Sequence, residues 1–314
     1  MDFDLSDDQK LLMTSLDGLL EPFRSPPTGA HGYVEYSAAL QAELTNSGFL
    51  EIASQPDFGP LDAALMIEEI ASCPVSAEVA ASTLIAPLTG RFDAPMALAW
   101  SLGRPARYLD RAKLVCLFQH DGVLVGTPAP ADSDPIESVV AYPLALLKAA
   151  PGDAVRYAGA EAAAIKRRAL IGIAAEAAGL MRGALDQTVQ YVKDRQQFGQ
   201  PLGHFQAIQH RLADDAQIVH ACRNLAFRAA FDDDDKSAAV ACLYAQEAIR
   251  KIIYDCHQFS GAMGLTLEYP LHLWTYRLKF LQGEAGGKAA QAQMLADTVW
   301  HHSQTAMAKP EPVT

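Results

Sequence analysis

The chain has 314 residues, half of them apolar, with 25 basic against 37 acidic side chains and a formal net charge of −12. That is enough apolar chain for a sizeable core in two or three domains, and the acidic balance excludes a broad nucleic-acid-binding face, although helix N-termini and local cations can still hold an anionic ligand. Cys73, Cys116, Cys222, Cys242 and Cys256 are odd in number and lack metal-ligand spacing, no apolar run reaches membrane-spanning length, and the acidic start MDFDLSDDQK carries no secretory h-region; free thiols and a cytoplasmic setting are expected.

Residues 1–105 read as helices joined by short loops. Ser6 is placed to cap a first helix, with Asp7 and Asp8 suiting its dipole. Leu12, Leu16, Leu19 and Leu20 continue it as a helical stripe. A second helix is expected over 36–46, stopping before Gly48, and a third over 61–71, stopping before Pro74. The texture then changes. Residues 106–158 read as a truncated β region with short strands at 113–118, 122–127, 138–142 and 154–157, too small for a large independent sheet. Residues 159–314 return to helix in three Ala-rich stripes. These start from Leu170 and Ile173, from Ile208 and Leu212, and from Ala239 and Cys242. The first stops near Gly199, the second at the acidic run of residues 232–235, the third at Gly261. Such stripes with short connections predict an antiparallel bundle. The expected fold class is therefore mainly α: an N-terminal helical domain, a small β region and a C-terminal helical bundle, a four-helix bundle by the resemblance set out below.

Two segments stand out as candidates for chemistry. Asp194-Arg195-Gln196-Gln197-Phe198-Gly199-Gln200-Pro201-Leu202 follows the first bundle stripe and leads through His204-Phe205-Gln206-Ala207-Ile208 into the second. A turn bearing an Arg before a helix N-terminus can present a guanidinium and backbone N–H groups to a phosphate. A plain helix–helix loop with a solvated Arg fits it as well. Gln258-Phe259-Ser260-Gly261-Ala262-Met263-Gly264 follows the third stripe, and its small residues leave room for a flat ligand. A Gly-rich C-terminal cap is the simpler account. His204, His210, His220 and His257 share no metal-binding spacing, so no metal site is expected, and residues 232–235 read as a solvated acidic turn.

Taken together and in this order, the two segments resemble the acyl-CoA dehydrogenase family. Its bundle carries an Arg-x-x-Phe-Gly turn (here Arg195, Phe198, Gly199), a Gln-Ala-Ile helix start (Gln206-Ala207-Ile208) and a Gln-x-x-Gly-Gly-x-Gly-x-Thr-x-Glu-Tyr-Pro segment (Gln258 through Pro270, with Ala262 in place of one Gly). The opening Met1-Asp2-Phe3, the helix start Leu5-Ser6-Asp7-Asp8-Gln9 and Asn46-Ser47-Gly48-Phe49-Leu50 also match the family's pattern. The resemblance implies an oligomer, commonly a tetramer, with FAD between subunits. It implies FAD contacts from Arg195, Phe198, Phe205, Gln206, Gln258, Gly261 and Ala262. The implied reaction is α,β-dehydrogenation of an acyl-CoA thioester.

Two departures bear on that implication. The family's Thr-Glu-Pro-Gly-x-Gly-Ser-Asp flavin loop survives only as Thr127-Pro128-Ala129-Pro130-Ala131-Asp132-Ser133-Asp134. The family's base, a Glu just before the final helix, finds Glu284 as the available carboxylate, whereas register to Gln291 and Gln293 puts Ala285 or Gly287 there instead. An exposed loop acid is the bland account of Glu284. The expected function is an acyl-CoA dehydrogenase-like flavoprotein subunit, working as a homo-oligomer or completing FAD sites on a longer family member. The resemblance implies that heteromers of that kind act on bulky acyl-CoAs such as steroid side-chain thioesters. The alternative is a helical scaffold or CoA-ester binder that has lost FAD.

Overall fold

A computed structural model describes residues 4–27 and 33–306; Met1-Asp2-Phe3 lies outside them. Helix α1 (Asp7–Leu20) begins at a capping box in which the Ser6 hydroxyl accepts from Gln9 N–H and the Gln9 side chain accepts from Ser6 N–H. Its Leu12, Leu16 and Leu20 are buried. Helices α2 (Ala38–Asn46) and α3 (Pro60–Ala71) follow the expected positions. Two short helices that periodicity did not pick out, α4 (Ala80–Leu84) and α5 (Ala86–Thr89), complete this part. They are too short to show a 3.6-residue stripe.

The strand layer begins earlier than expected, inside the zone read as helical, with β1 (Met96–Ala99) and β2 (Pro105–Arg107). It continues through β3 (Leu114–Gln119), β4 (Gly122–Gly126), β5 (Ser133–Ile136), β6 (Leu144–Leu147) and β7 (Val155–Tyr157). The strand expected at 138–142 is not one. Ala141 takes a left-handed φ of 59° two residues before Pro143, and the pairing segments lie on either side, as β5 and β6. Four strands form a sheet in the order β1-β3-β4-β7, and three form a second in the order β2-β6-β5. Successive residues of β1 and β3 face opposite ways. Ala97, Ala99, Val115 and Leu117 join Ala106, Ala145 and Leu147 between the sheets. Met96, Leu98, Leu114, Cys116 and Phe118 face Ala81, Ile85, Ile165 and Ala169 on the helices. A strand buried on both faces has no alternating pattern, which is why β1 escaped the sequence reading.

The bundle is built on α6 (Gly159–Asp194), 36 residues and so about 54 Å long. A hairpin of β8 (Gln196–Gln197) and β9 (Gln200–Pro201) joins it to α7 (Gln206–Asp232), followed by α8 (Asp235–Ser260), α9 (His272–Leu281) and α10 (Gly287–Ala306). The predicted stripes are the buried faces: Leu170, Ile173, Ala177, Leu180 and Ala184 on α6, Leu212, Val219 and Cys222 on α7, Cys242, Ile249, Ile252 and Cys256 on α8. All five cysteines are free and buried.

The acidic run at the α7–α8 turn is not simply solvated. Arg168 of α6 donates from Nε and Nη2 to the Asp233 carboxylate at 2.8 Å each, Arg167 donates to Asp233 O at 2.7 Å, and the Asp234 side chain caps α8. Charge partners 65 residues away are invisible to a local reading.

At the other major contact, α6 meets α3 so closely that a Cβ on Gly179 would lie 2.1 Å from Glu68 O. Gly179→Ala should therefore force the helices apart and destabilise the protein by about 1–3 kcal/mol. Urea unfolding measures this, and an unchanged midpoint would mean that the α3–α6 spacing is not rigid.

Candidate functional site

The sequence-predicted cofactor residues gather at one end of the bundle, and Glu284 does not. The hairpin after α6 turns through Phe198 (φ 54°) and Gly199 (φ 81°), a two-residue connection with both residues left-handed. Gly takes that conformation freely, whereas an aromatic residue is strained in it. Phe198 is nonetheless 88% exposed. Its ring meets only that of Phe205 edge-on, at 6.1 Å between centroids, among the aromatic pairs of the described residues. Arg195 and Gln206 are exposed too, and among the described residues no ion pair engages the Arg195 guanidinium.

The second segment is pinned beside the first by charge. Asp215 of α7 and Asp255 of α8 are both buried. Lys251 pairs with Asp215 and, at 2.8 Å, with Asp255. Arg211, one turn into α7, pairs with Asp255 and lies 4.8 Å from the Phe259 ring centroid. Tyr269 donates its hydroxyl to Gln187 O at 2.9 Å, and its ring sits 5.3 Å from that of Tyr191. The first turns of α7 and the last turns of α8 are thus held together, bringing Arg195, Phe198, Phe205 and Gln206 to the same bundle end as Gln258, Gly261 and Ala262. Gln258 and Gly261 line an open groove of about 560 Å³ that also carries Arg250, Tyr254, Tyr276 and Lys279. Gly261 (φ 58°), with open space where a Cβ would project, lets a ligand approach its backbone.

Glu284 lies elsewhere, where the strands meet the bundle, and it is 5% exposed rather than solvated. Gln246 of α8 holds the preceding loop through Leu281 O and Glu284 O, at 2.9 Å each, and Gln291 of α10 holds Ala285 O at 3.0 Å. The Glu284 carboxylate accepts from Arg107 Nε at 3.1 Å and from Trp100 Nε1 at 3.4 Å. The same guanidinium donates from Nη1 to both oxygens of Glu176 on α6, at 2.7 and 2.6 Å, and the Tyr142 hydroxyl donates to Glu176 at 2.7 Å. The Tyr142 and Tyr108 rings lie 5.1 and 5.8 Å from the guanidinium carbon. Burial pushes the Glu284 carboxyl above the usual carboxylate range; Arg107 opposes that rise and the Glu176 charge adds to it. Arg107, which burial alone would lower, is held well above its ordinary value by the two carboxylates.

The loop from Thr127, which keeps only a loose echo of the family's flavin loop, is also engaged internally. Thr127 donates its N–H to Asp153 Oδ1 at 2.8 Å and its hydroxyl to Asp153 Oδ2 at 2.9 Å, and Arg91 bonds both Thr127 and Asp153 at 3.3 Å.

Arg107, Glu176, Tyr142 and Trp100 were not picked out from the sequence. The available signal was a lone Arg in the apolar stretch Pro105-Ala106-Arg107-Tyr108-Leu109 and a lone Glu in Ile173-Ala174-Ala175-Glu176-Ala177-Ala178. Single opposite charges inside two core segments need a partner.

Residues 153–300 match the family model described as acyl-CoA dehydrogenase, C-terminal domain. That stretch is just under half of the chain, and over it the sequence is similar to the acyl-CoA dehydrogenase family. It is 39% identical over 122 residues to acyl-CoA dehydrogenase FadE34 of Mycobacterium tuberculosis, covering 37% of this chain and 17% of that protein. It is 43% identical over 105 residues to the short-chain specific acyl-CoA dehydrogenase of Bos taurus mitochondria, covering 32% and 26%. The aligned part thus spans well under two thirds of these relatives. The fold likeness extends further. Similarity to the ChsE4–ChsE5 complex of Mycobacterium tuberculosis covers 99% of this chain and 100% of that one, with TM-score 0.79 at 17% identity. Similarity to butyryl-CoA dehydrogenase of Megasphaera elsdenii covers 96% and 100%, with TM-score 0.74 at 20% identity. This acyl-CoA dehydrogenase fold has no helix, among the described residues, long and apolar enough to cross a membrane, and those residues contain no cluster of three or more metal-ligating side chains.

Two energetic consequences follow from the charge clusters. Arg107→Met strands two buried carboxylates and should cost about 3–5 kcal/mol, read as a lower urea midpoint; a loss below about 1 kcal/mol would mean that water reaches the cluster. Burial and the neighbouring Asp255 push the Asp215 carboxyl up to about 6, against the pull of Lys251. A raised carboxylate binds its proton more tightly in the folded than in the unfolded chain, so this group's contribution to stability declines as pH rises from about 4 to 6. Asp215→Asn should remove that decline, narrowing the stability gap between the two ends of the window. Parallel pH slopes for the two proteins would contradict it.

Proposed function

We propose that this chain is an acyl-CoA dehydrogenase-like subunit that contributes one edge of a FAD site whose flavin ring and base are held mainly by a longer family member. The observation that carries this is an asymmetry between two places in one molecule. At the bundle end, Arg195 has no ion-pair partner among the described residues, Phe198 stands 88% exposed in a strained backbone conformation, and Gln258 and Gly261 border an open groove with two cations. Strain kept at an exposed aromatic residue, with little inside its own chain to use it, points to an external contact. On the strand side, the groups that would meet a flavin ring are consumed internally: Thr127 by Asp153, Glu284 by Arg107. The residues present therefore fit the anionic, dinucleotide edge of FAD and do not fit its ring.

In this reading Arg195 meets the pyrophosphate with its guanidinium, Phe198 and Phe205 give an apolar face beside it, and Gln258 and the open backbone at Gly261 and Ala262 follow the cofactor's length. The chemistry supplied by the bound flavin is acceptance of the acyl β-hydrogen as hydride, while a carboxylate takes the α-proton and the thioester becomes an enoyl thioester. Docking a family member also covers the exposed Phe198, Tyr254 and Leu265, which lie on or beside this edge.

The decisive measurement is the flavin absorption spectrum of the chain purified alone and with the longer chain that captures it. The expected result is a colourless chain that yields a yellow complex. A yellow chain that alone reduces an electron acceptor with an acyl-CoA overturns the proposal, and a complex without flavin favours the scaffold reading. Within the complex, Arg195→Ala should weaken flavin retention about tenfold, the loss of one charge-assisted hydrogen bond. Unchanged retention would take Arg195 out of the site.

A further inference from the structure

We propose that the open groove at the bundle end is a proton-coupled phosphate site, in which His257 takes up a proton as the ligand binds and joins Arg250 and Lys279 in facing its charge. The proposal rests on the flavin-edge reading above and adds to it how pH governs that edge. In a chain with a net charge of −12, the groove is lined by Arg250, His257 and Lys279 and by no carboxylate. Arg250 is exposed and has no hydrogen-bond or ion-pair partner among the described residues, while Lys279 donates to the neutral Gln282 amide at 2.9 Å. Uncompensated cations on the wall of a concave surface attract an anion. Tyr254 and Tyr276 give the same groove aromatic faces suited to the rest of a nucleotide.

His257 is placed to change charge here. Thr275 Oγ1 donates its one proton to Leu271 O at 3.2 Å, so at 3.0 Å from His257 Nε2 it is the acceptor, and the neutral ring carries its proton on Nε2. Nδ1 is then a lone-pair acceptor, buried and without a hydrogen-bond partner among the described residues. A second proton turns it into a donor. Burial and His272 hold the ring below its ordinary range, and the Gly264 backbone, which favours the charged form, opposes them. The charged and titratable groups around the ring are Arg250 and Tyr254 from α8 and His272, Tyr276 and Lys279 from α9. Asp255, two residues before it, is committed to Arg211 and Lys251. Every group that carries charge in the groove near neutral pH is therefore positive. The empty groove keeps His257 neutral, and a bound pyrophosphate reverses the local field and draws a proton to it. Affinity then rises as pH falls, across the window between the free ring's value and the higher value of the bound one, and is flat above that window.

The test titrates the purified full chain, by calorimetry, with ADP-ribose, which carries the pyrophosphate of FAD without its flavin. The wild type should bind about three- to tenfold tighter at about pH 5.5 than at about pH 7.5, the response to one added charge beside the phosphate. It should also take up protons on binding, read in two buffers of different ionisation heat. His257→Gln, whose amide can still donate to Thr275 but takes no proton, should bind alike at both pH values; should it fail to fold by circular dichroism, His257→Asn replaces it. A wild type without pH response or proton uptake, a folded variant that keeps the wild-type response, or no binding at either pH overturns the proposal. Proton-coupled binding of ADP-ribose beside a complex that lacks flavin would sink the flavin-edge reading alone.

Discussion

One guanidinium joins the parts of this molecule. Arg107, buried on a strand, meets Glu176 from the longest helix and Glu284 from the loop before the last one. Desolvating an arginine is costly, and the attraction of one carboxylate often only offsets it. Two carboxylates, with Tyr142 and Trp100 adding hydrogen bonds, change that balance and also tie three elements together at this point. The buried site is left with one more negative charge than positive, which is why burial and Glu176 together push Glu284 upward against the pull of Arg107.

The same physics explains how a dehydrogenase fold can hold together around an occupied centre. A cleft between a strand layer and a helical bundle must be filled by something, because interiors pack at near-crystalline density. In this chain a side chain fills it. Thr127, turned onto Asp153 and Arg91, is a second instance of donors satisfied from within. The bundle end is the opposite case. There Lys251 and Arg211 clamp α7 to α8 through buried aspartates and leave Arg195, Phe198 and Gln258 facing outward. Rigidity beneath and exposure above is the arrangement that a contact surface requires.

Local pattern carried a large part of this far. The capping box at Ser6, the stripes of α6, α7 and α8 and the breaks at Gly199, at the acidic run and at Gly261 were readable because a helix buries one face at a fixed period, and that period is written in consecutive residues. The short helices α4 and α5 and strand β1 were not readable. The first two are less than two turns long, and the third is buried on both faces, so neither leaves a periodic trace. Glu284 shows the same limit at a candidate residue. Its loop of small residues suggested solvent, while its burial comes from Arg107, 177 positions away.

By itself, then, the sequence determined the helical character, the bundle, the family likeness and which two turns stand out as candidates for a site, since each of these rests on residues within one or two helical turns of one another. Only the tertiary structure decided that those two segments share one end of the bundle, that the acidic turn is tied down by Arg168, and that the single acid before the last helix is held by an arginine from a strand. Charge pairing acts through space and takes no account of separation along the chain, so the partner of a buried ion is fixed by the fold and leaves no local mark.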